Sequence, residues 1–329
     1  MRPSAQAQFF GALTVVVTAA AARAQTLSPR VAQVLPYLPP QSETLAVQQT
    51  PVEIPLAVKA GRFSMGGDGQ TAKTSLPANL QIGVIAPALA ERTVLLSVEA
   101  RSNFRPPRGF GLMPYDGCGF VLLKPQLGQT RAALKSRVWK GMKRLTLAGQ
   151  EVGVTEYKHE LDVWHLYVSV PRPDMLVLAT DRASMVTTLS RLQAPRLTDR
   201  AFPASWSGWK LVDATAPFWA IRRLDLPQSV GVLGPHDRDP HARALVIYNR
   251  LRATAKSTDG AKSWEYVVKY DGSAAFGRRL LANVSREVEG NISQPGQNIT
   301  QFTTDFSQPQ SSGYFTFYAL GLLGTGIYL

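Results

Sequence analysis

Apolar and polar residues alternate from Thr93 to Ala100, with Leu95 the one exception. A period of two is the mark of a strand with one buried face. Phe120–Leu123 is instead continuously apolar, the pattern of a strand covered on both sides. Leu127, Leu134 and Val138 then recur at helical spacing, and Gly141 stands where a C-cap glycine belongs, which predicts a helix over residues 126–140. Four strands are predicted in close succession over 144–148, 151–157, 163–170 and 175–180. Gly149-Gln150 links the first two, and the turn Pro171-Arg172-Pro173-Asp174 links the last two. Asp181 is a good N-cap for a helix whose Met185, Leu189 and Leu192 share a face, and Pro195 stops it.

Further along, strands are predicted over 218–223, 244–250 and 264–270, with a weaker one over 299–305. Residues 276–287 suit a helix or a strand. Gly- and Pro-rich stretches read as loops over 59–78, 101–111 and 289–298. Together these elements predict an α+β fold of mainly antiparallel sheets with helices on one face. The division runs from an N-terminal arm (25–43) to a first α+β domain or half (44–195), a linker (196–215) and a second β-rich domain or half (216–329). Two related halves split near residue 200 fit this plan.

The two ends read differently from the body. Met1–Ser4 carries one positive charge and no acid, Phe9–Ala22 is an apolar run, and Ala22-Arg23-Ala24 supplies small residues before Gln25. That order is the signature of a cleavable secretory leader over residues 1–24. The run is shorter than the 20 or so apolar residues that cross a bilayer. At the other end, Tyr314–Leu329 has no charged side chain. It falls just short of a spanning helix, lacks the cationic face of an interfacial one, and contains Gly321, Gly324 and Gly326. A terminal element packed on the soluble body is the favoured reading, with membrane contact the alternative.

Two segments carry a resemblance. Tyr37-Leu38-Pro39-Pro40-Gln41-Ser42-Glu43-Thr44-Leu45-Ala46-Val47 resembles the opening of some bacterial exported proteins of unknown function, and Asp174–Asp181 with its following helix is similar to their recurring strand-helix unit. The resemblance implies bacterial export and an α+β body, and it transfers no catalytic residue. It also makes glycosylation at Asn283, Asn291 and Asn298 unexpected, although each begins an acceptor triplet.

With export expected, the charge acquires a meaning. The chain's 329 residues carry a formal net charge of +13, to which the leader contributes only Arg2 and Arg23. Such a surface attracts anions. Outside the cytoplasm these are acidic glycan or lipid head groups, not genomic nucleic acid. Cys118 is the single cysteine, so no internal disulfide and no cysteine-based zinc cage can form. Its place at the mouth of an apolar run suits a small buried residue.

Candidate chemistry is sparse. Gly66-Gly67-Asp68-Gly69 lacks the Lys-Ser/Thr of a P-loop and reads as a turn, and no cofactor is expected. No Gly-x-Ser-x-Gly elbow occurs. The densest ligand group, His236, Asp237, Asp239 and His241, sits in a Pro-bounded turn with Arg238 in its midst, which argues for solvated turn residues over a metal cage. His159, Glu160, Asp162 and His165 could supply a general base, but strand alternation sets the acids apart from the histidines unless a turn intervenes. Arg131, Lys135, Lys140 and Arg144, with Arg137 and Lys143 beside them, form a basic run without an acid and are the candidate anion-binding residues. Tyr157, Trp164, Trp206, Trp209 and Trp219 could stack on a ligand, though core packing is the better expectation. The function expected is therefore an exported, non-enzymatic cell-envelope protein, a binding or structural module, with an exported hydrolase whose active site is assembled from distant segments as the alternative. Intact-mass measurement of the exported protein tests the leader: the chain should begin at or near Gln25, and retention of Met1–Ala24 would contradict it.

Overall fold

The computed structural model describes residues 27–49, 51–54, 85–104, 115–159, 162–195, 198–226, 239–253, 262–285, 291–296 and 299–306. The leader, the Gly66–Gly69 stretch, the His236-Asp237 pair and Tyr314–Leu329 lie outside them.

Helix α1 (Pro29–Val34) starts at Ser28, whose Oγ accepts from Val31 N, and continues into a 3-10 turn, Leu35–Tyr37. Strands β1 (Thr44–Gln48), β2 (Val52–Glu53), β3 (Thr93–Phe104) and β4 (Tyr115–Leu123) follow. Next come helix α2 (Arg131–Val138), β5 (Lys143–Leu147), β6 (Gln150–His159), β7 (Asp162–Arg172), β8 (Met175–Ala179) and helix α3 (Arg182–Gln193). The second half holds β9 (Phe218–Arg223), β10 (Ala244–Ala253), β11 (Lys262–Asp271), helix α4 (Ala274–Ser285), β12 (Asn291–Gly296) and β13 (Ile299–Phe306). All the strands join one antiparallel sheet in the order β12-β13-β11-β10-β9-β1-β3-β4-β8-β7-β6-β5, with β2 paired to β3 at the side.

Local chemistry sets the element ends. Thr130 caps α2, its Oγ1 accepting from Ala133 N at 3.1 Å, and Gly141 takes the left-handed conformation (φ 79°) just past the helix. Asp181 caps α3 through Oδ1, 2.7 Å from Ser184 N. Ala148 and Gly149 both have positive φ, so β5 and β6 are joined by the tight two-residue turn that suits twisted strands.

Period-two alternation sorts the core. One face carries Leu45, Val47, Leu96, Val98, Phe120, Val177 and, in the second half, Trp219, Ile221 and Val246. It is covered by α1, by α3 through Met185 and Leu189, and by residues 201–212. The other face of the first half carries Val121, Leu123, Val168, Leu176 and Leu178 under α2 and the 3-10 turn Ala86–Leu89. Helices therefore lie on both faces, not one. The reason is that β8 is apolar at every position and buried throughout, so both of its sides need cover.

Three stretches carry further structure. Within the N-terminal arm, residues 27–43 include α1, whose Val31 and Val34 are fully buried beneath the sheet. In the stretch read as a linker, Phe202, Trp206 and Trp209 stack edge-on or tilted in a chain that ends on Trp219, so residues 201–212 contribute to the core. Residues 291–296, read as loop, pair with β13 as an irregular edge strand. Among the described residues no helix is long and apolar enough to cross a membrane.

The α2 side of the sheet depends on Trp139. Its Nε1 donates to the Val168 carbonyl at 2.9 Å, and its ring fills the space above Gly153. A methyl group at Gly153 would lie 2.5 Å from the Trp139 ring. Gly153→Ala should therefore cost about 1–3 kcal/mol through overpacking. The urea midpoint reads this directly, and an unchanged midpoint would show that Trp139 is not fixed.

Candidate functional site

At one end of the sheet the β5–β6 and β7–β8 turns meet α1, α2 and α3 around a cavity of about 560 Å³. Its apolar wall is made by Tyr37, Pro171, Met175 and Leu192. Its cations are Arg131 and Lys135 from α2 and Arg172 from the β7–β8 turn. Amides come from Gln33 and Gln150, and Glu151 is the one carboxylate among the lining side chains.

Each cation is held by a definite contact. Arg131 starts α2, and its Nε donates to the Val170 carbonyl at 2.6 Å, fixing the guanidinium across the end of β7. Lys135 lies one helical turn further on, as the i, i+4 spacing requires. Its ammonium sits 2.8 Å from Glu151 Oε2 and 4.8 Å from the Trp139 ring centre. Arg144, on the edge strand β5, faces the same ring at 5.9 Å. Arg172 Nε is 3.2 Å from Asp174 Oδ1 across the turn. The Glu151 carboxyl is held below the usual carboxylate range by the hydrogen bond and charge of Lys135, with Arg144 and Arg131 adding to the pull.

The basic run is thus partly assembled. Arg131 and Lys135 enter the cavity. Arg144 stands nearby, 5.9 Å from the Trp139 ring centre, and Lys140 lies exposed beyond the end of α2, outside the lining. Sequence reading missed Arg172, Gln33, Gln150 and Tyr37. Arg172 had a legible signal in its turn, but nothing local ties Gln33 or Tyr37 to residues more than a hundred positions away.

The other candidates have structural duties. Asp239 fastens β11 to α4: its Oδ2 accepts from the Tyr270 hydroxyl and from Ser273 N, both at 2.6 Å, while Oδ1 accepts from His241 N at 3.0 Å. His241 is exposed. Among the described residues no group of three or more His, Cys, Asp or Glu could hold a metal ion. On the β6–β7 hairpin His165 faces Glu156 with 4.0 Å between Nε2 and Oε2, both well exposed. His159 pairs with Asp162 at the last described rung of the hairpin, and Glu160 lies outside the described residues.

Cys118 is fully buried, and its thiol is pushed up to about 12 by that burial, which outweighs a hydrogen bond with Thr188. It behaves as a small core residue. Trp206 and Trp219 are buried. Trp209 packs edge-on against both rings and donates from its Nε1 to the Pro203 carbonyl at 2.8 Å. At the sheet centre Glu99 and Arg101 form a buried pair at 2.9 Å. Burial raises the Glu99 carboxyl and Arg101 draws it back.

No family model and no curated protein matches the chain. Among solved structures, two crystal forms of the protein TP0453 align with 86% of this chain. Form I gives 15% identity, a TM-score of 0.40 and 96% coverage of its own chain; form III gives 13%, 0.43 and 97%. At that level the likeness carries no argument about function.

Asp239 offers a pH test. Burial pushes its carboxyl up, but the bonds from Tyr270, Ser273 and His241 outweigh it and hold it below the usual range. A lowered folded-state value means the contribution is present above the unfolded Asp value near 3.9 and lost as pH falls through the folded value. Asp239→Ala should cost about 1–3 kcal/mol at pH 7 by leaving the buried Tyr270 hydroxyl without its acceptor. The loss should shrink at a pH below the unfolded value of about 3.9. A denaturant series at both pH values checks it, and a pH-independent loss would contradict the assignment.

Proposed function

We propose that this chain is an exported, non-enzymatic protein of the bacterial cell envelope that works by binding an anionic envelope component. The observation that carries the reading is the convergence of Arg131, Lys135 and Arg172, from two separate segments, on one cavity whose lining has a single carboxylate. Cations from separate segments around a concave surface make an anion site far more readily than a charged helix face does. The formal charge of +13, less the two of Arg2 and Arg23 in the leader, leaves +11 on the exported protein and would bring such a partner in from solution. The secretory pattern of residues 1–24 and the resemblance of residues 37–47 and 174–181 to bacterial exported proteins support the compartment. A hydrolase would want histidine and carboxylates from several segments facing one cavity. This cavity presents cations, amides and an aromatic wall instead, which supports binding over hydrolysis.

Co-sedimentation tests the reading. The mature protein should be retained by polygalacturonate gel or by phosphatidylglycerol vesicles at low salt, and weakly at 0.15 M salt, where screening acts over about 8 Å. It should pass through dextran gel and phosphatidylcholine. The double variant Lys135→Ala/Arg172→Ala should lose about tenfold or more in affinity, equivalent to roughly 1.4 kcal/mol. Equal retention of the double variant, or retention that ignores salt, would overturn the reading.

A further inference from the structure

Resting on that reading, we propose that the cavity takes an acidic sugar: a uronic-acid unit of a polyanionic glycan, its carboxylate on the cations, its hydroxyls on the glutamines and its ring against Tyr37. Three features of the lining favour this over a bare phosphate or a lipid head group.

The first is the mix of donors and acceptors. Gln33, Gln150 and Glu151 are among the lining residues, and their side chains carry amide nitrogens, amide oxygens and a carboxylate. A phosphate accepts hydrogen bonds and donates few or none. It would leave those acceptors facing its own oxygens. A sugar hydroxyl both donates and accepts, so a polyhydroxylated anion can satisfy cations, amides and Glu151 together.

Shape gives the second. The 3-10 turn Leu35–Tyr37 holds the Tyr37 ring 6.1 Å from Phe120, in the core, while Tyr37 also lines the cavity beside Met175 and Leu192. A ring propped from behind offers a flat wall to the C–H face of a sugar. The volume of about 560 Å³ falls in the range of small-ligand sites.

Finally, the cations can take a further partner. Lys135 is 18% exposed and holds Glu151, itself 58% exposed, and its ammonium has three donors, so it can bond a ligand carboxylate while Glu151 stays to accept a sugar hydroxyl. Arg131, fixed through its Nε, already spans the end of β7, and Arg172 stands 43% exposed on the turn beside it.

Isothermal titration of the mature protein with trigalacturonate at pH 7 and low salt tests the proposal, with maltotriose, inorganic phosphate and phosphatidylglycerol vesicles as comparison probes. Thermal melts show whether each variant is folded. Trigalacturonate should bind and maltotriose should not. Lys135→Ala should weaken binding about tenfold or more, with the exposed Arg172→Ala serving the same purpose if Lys135→Ala fails to fold. Gln33→Ala/Gln150→Ala should weaken it about fivefold or more, and phosphate at equal concentration should not displace the sugar. Binding that phosphate displaces and that ignores the glutamine pair would overturn the sugar assignment while leaving anion binding intact. Cation-dependent binding to vesicles alone would overturn it in favour of a lipid head group. Failure of every anionic probe would remove both this proposal and the function it rests on.

Discussion

The structure depends on β1. Its five residues, Thr44–Gln48, are hydrogen-bonded to β3 on one side and β9 on the other, in register along their whole length. Every strand of the first half is reached through β3, and every described strand of the second half through β9. Leu45 and Val47 are fully buried on the face that α1 and α3 cover, and the aromatic group of Phe202, Trp206 and Trp209 seals the same face further along. A short strand early in the chain therefore cannot close its pairing until residues near 220 have arrived. The ordering of both halves is coupled through it, and long-range pairing of this kind is entropically costly to reach.

The same constraint creates the cavity. Strand β8 is buried on both faces, so α2 packs on one and α3 on the other. Where the β7–β8 turn emerges between those two layers there is a gap that neither helix fills. Polar and charged side chains at the helix and strand ends face into it. Trp139 sets the geometry on the α2 side, anchored to Val168 and flanked by Lys135 and Arg144. The charge that composition reports as a single number becomes directional there.

Much of this was legible in the chain. The strand-helix unit from Met175 to Gln193 follows from an apolar run, an Asp N-cap and helical spacing, and each acts locally. The left-handed turn at Gly141, just past the helix cap at Trp139, and the β5–β6 turn are legible for the same reason. The layering of the helices was not, since a continuously apolar strand says that both faces are covered but not by what. Residues 196–215 read as a linker because their Pro, Ser and Gly hid the aromatic positions, whose partner Trp219 lies beyond the stretch. For the cavity, the basic run included Arg131 and Lys135, which the structure sets one helical turn apart against its wall. It also swept in Lys140, which lies past the helix end. Gln33, Tyr37 and Gln150 carried no signal, because what brings them in is the packing of distant segments at one sheet end.

The central claim is that this sheet end binds an acidic glycan. Its most direct test is a backbone amide chemical-shift titration of the mature protein with trigalacturonate. The account predicts perturbations concentrated at residues 33–37, 131–135, 149–151 and 171–175, saturating together. Shifts scattered over exposed lysines and arginines, or centred on the second half of the sheet, would contradict it.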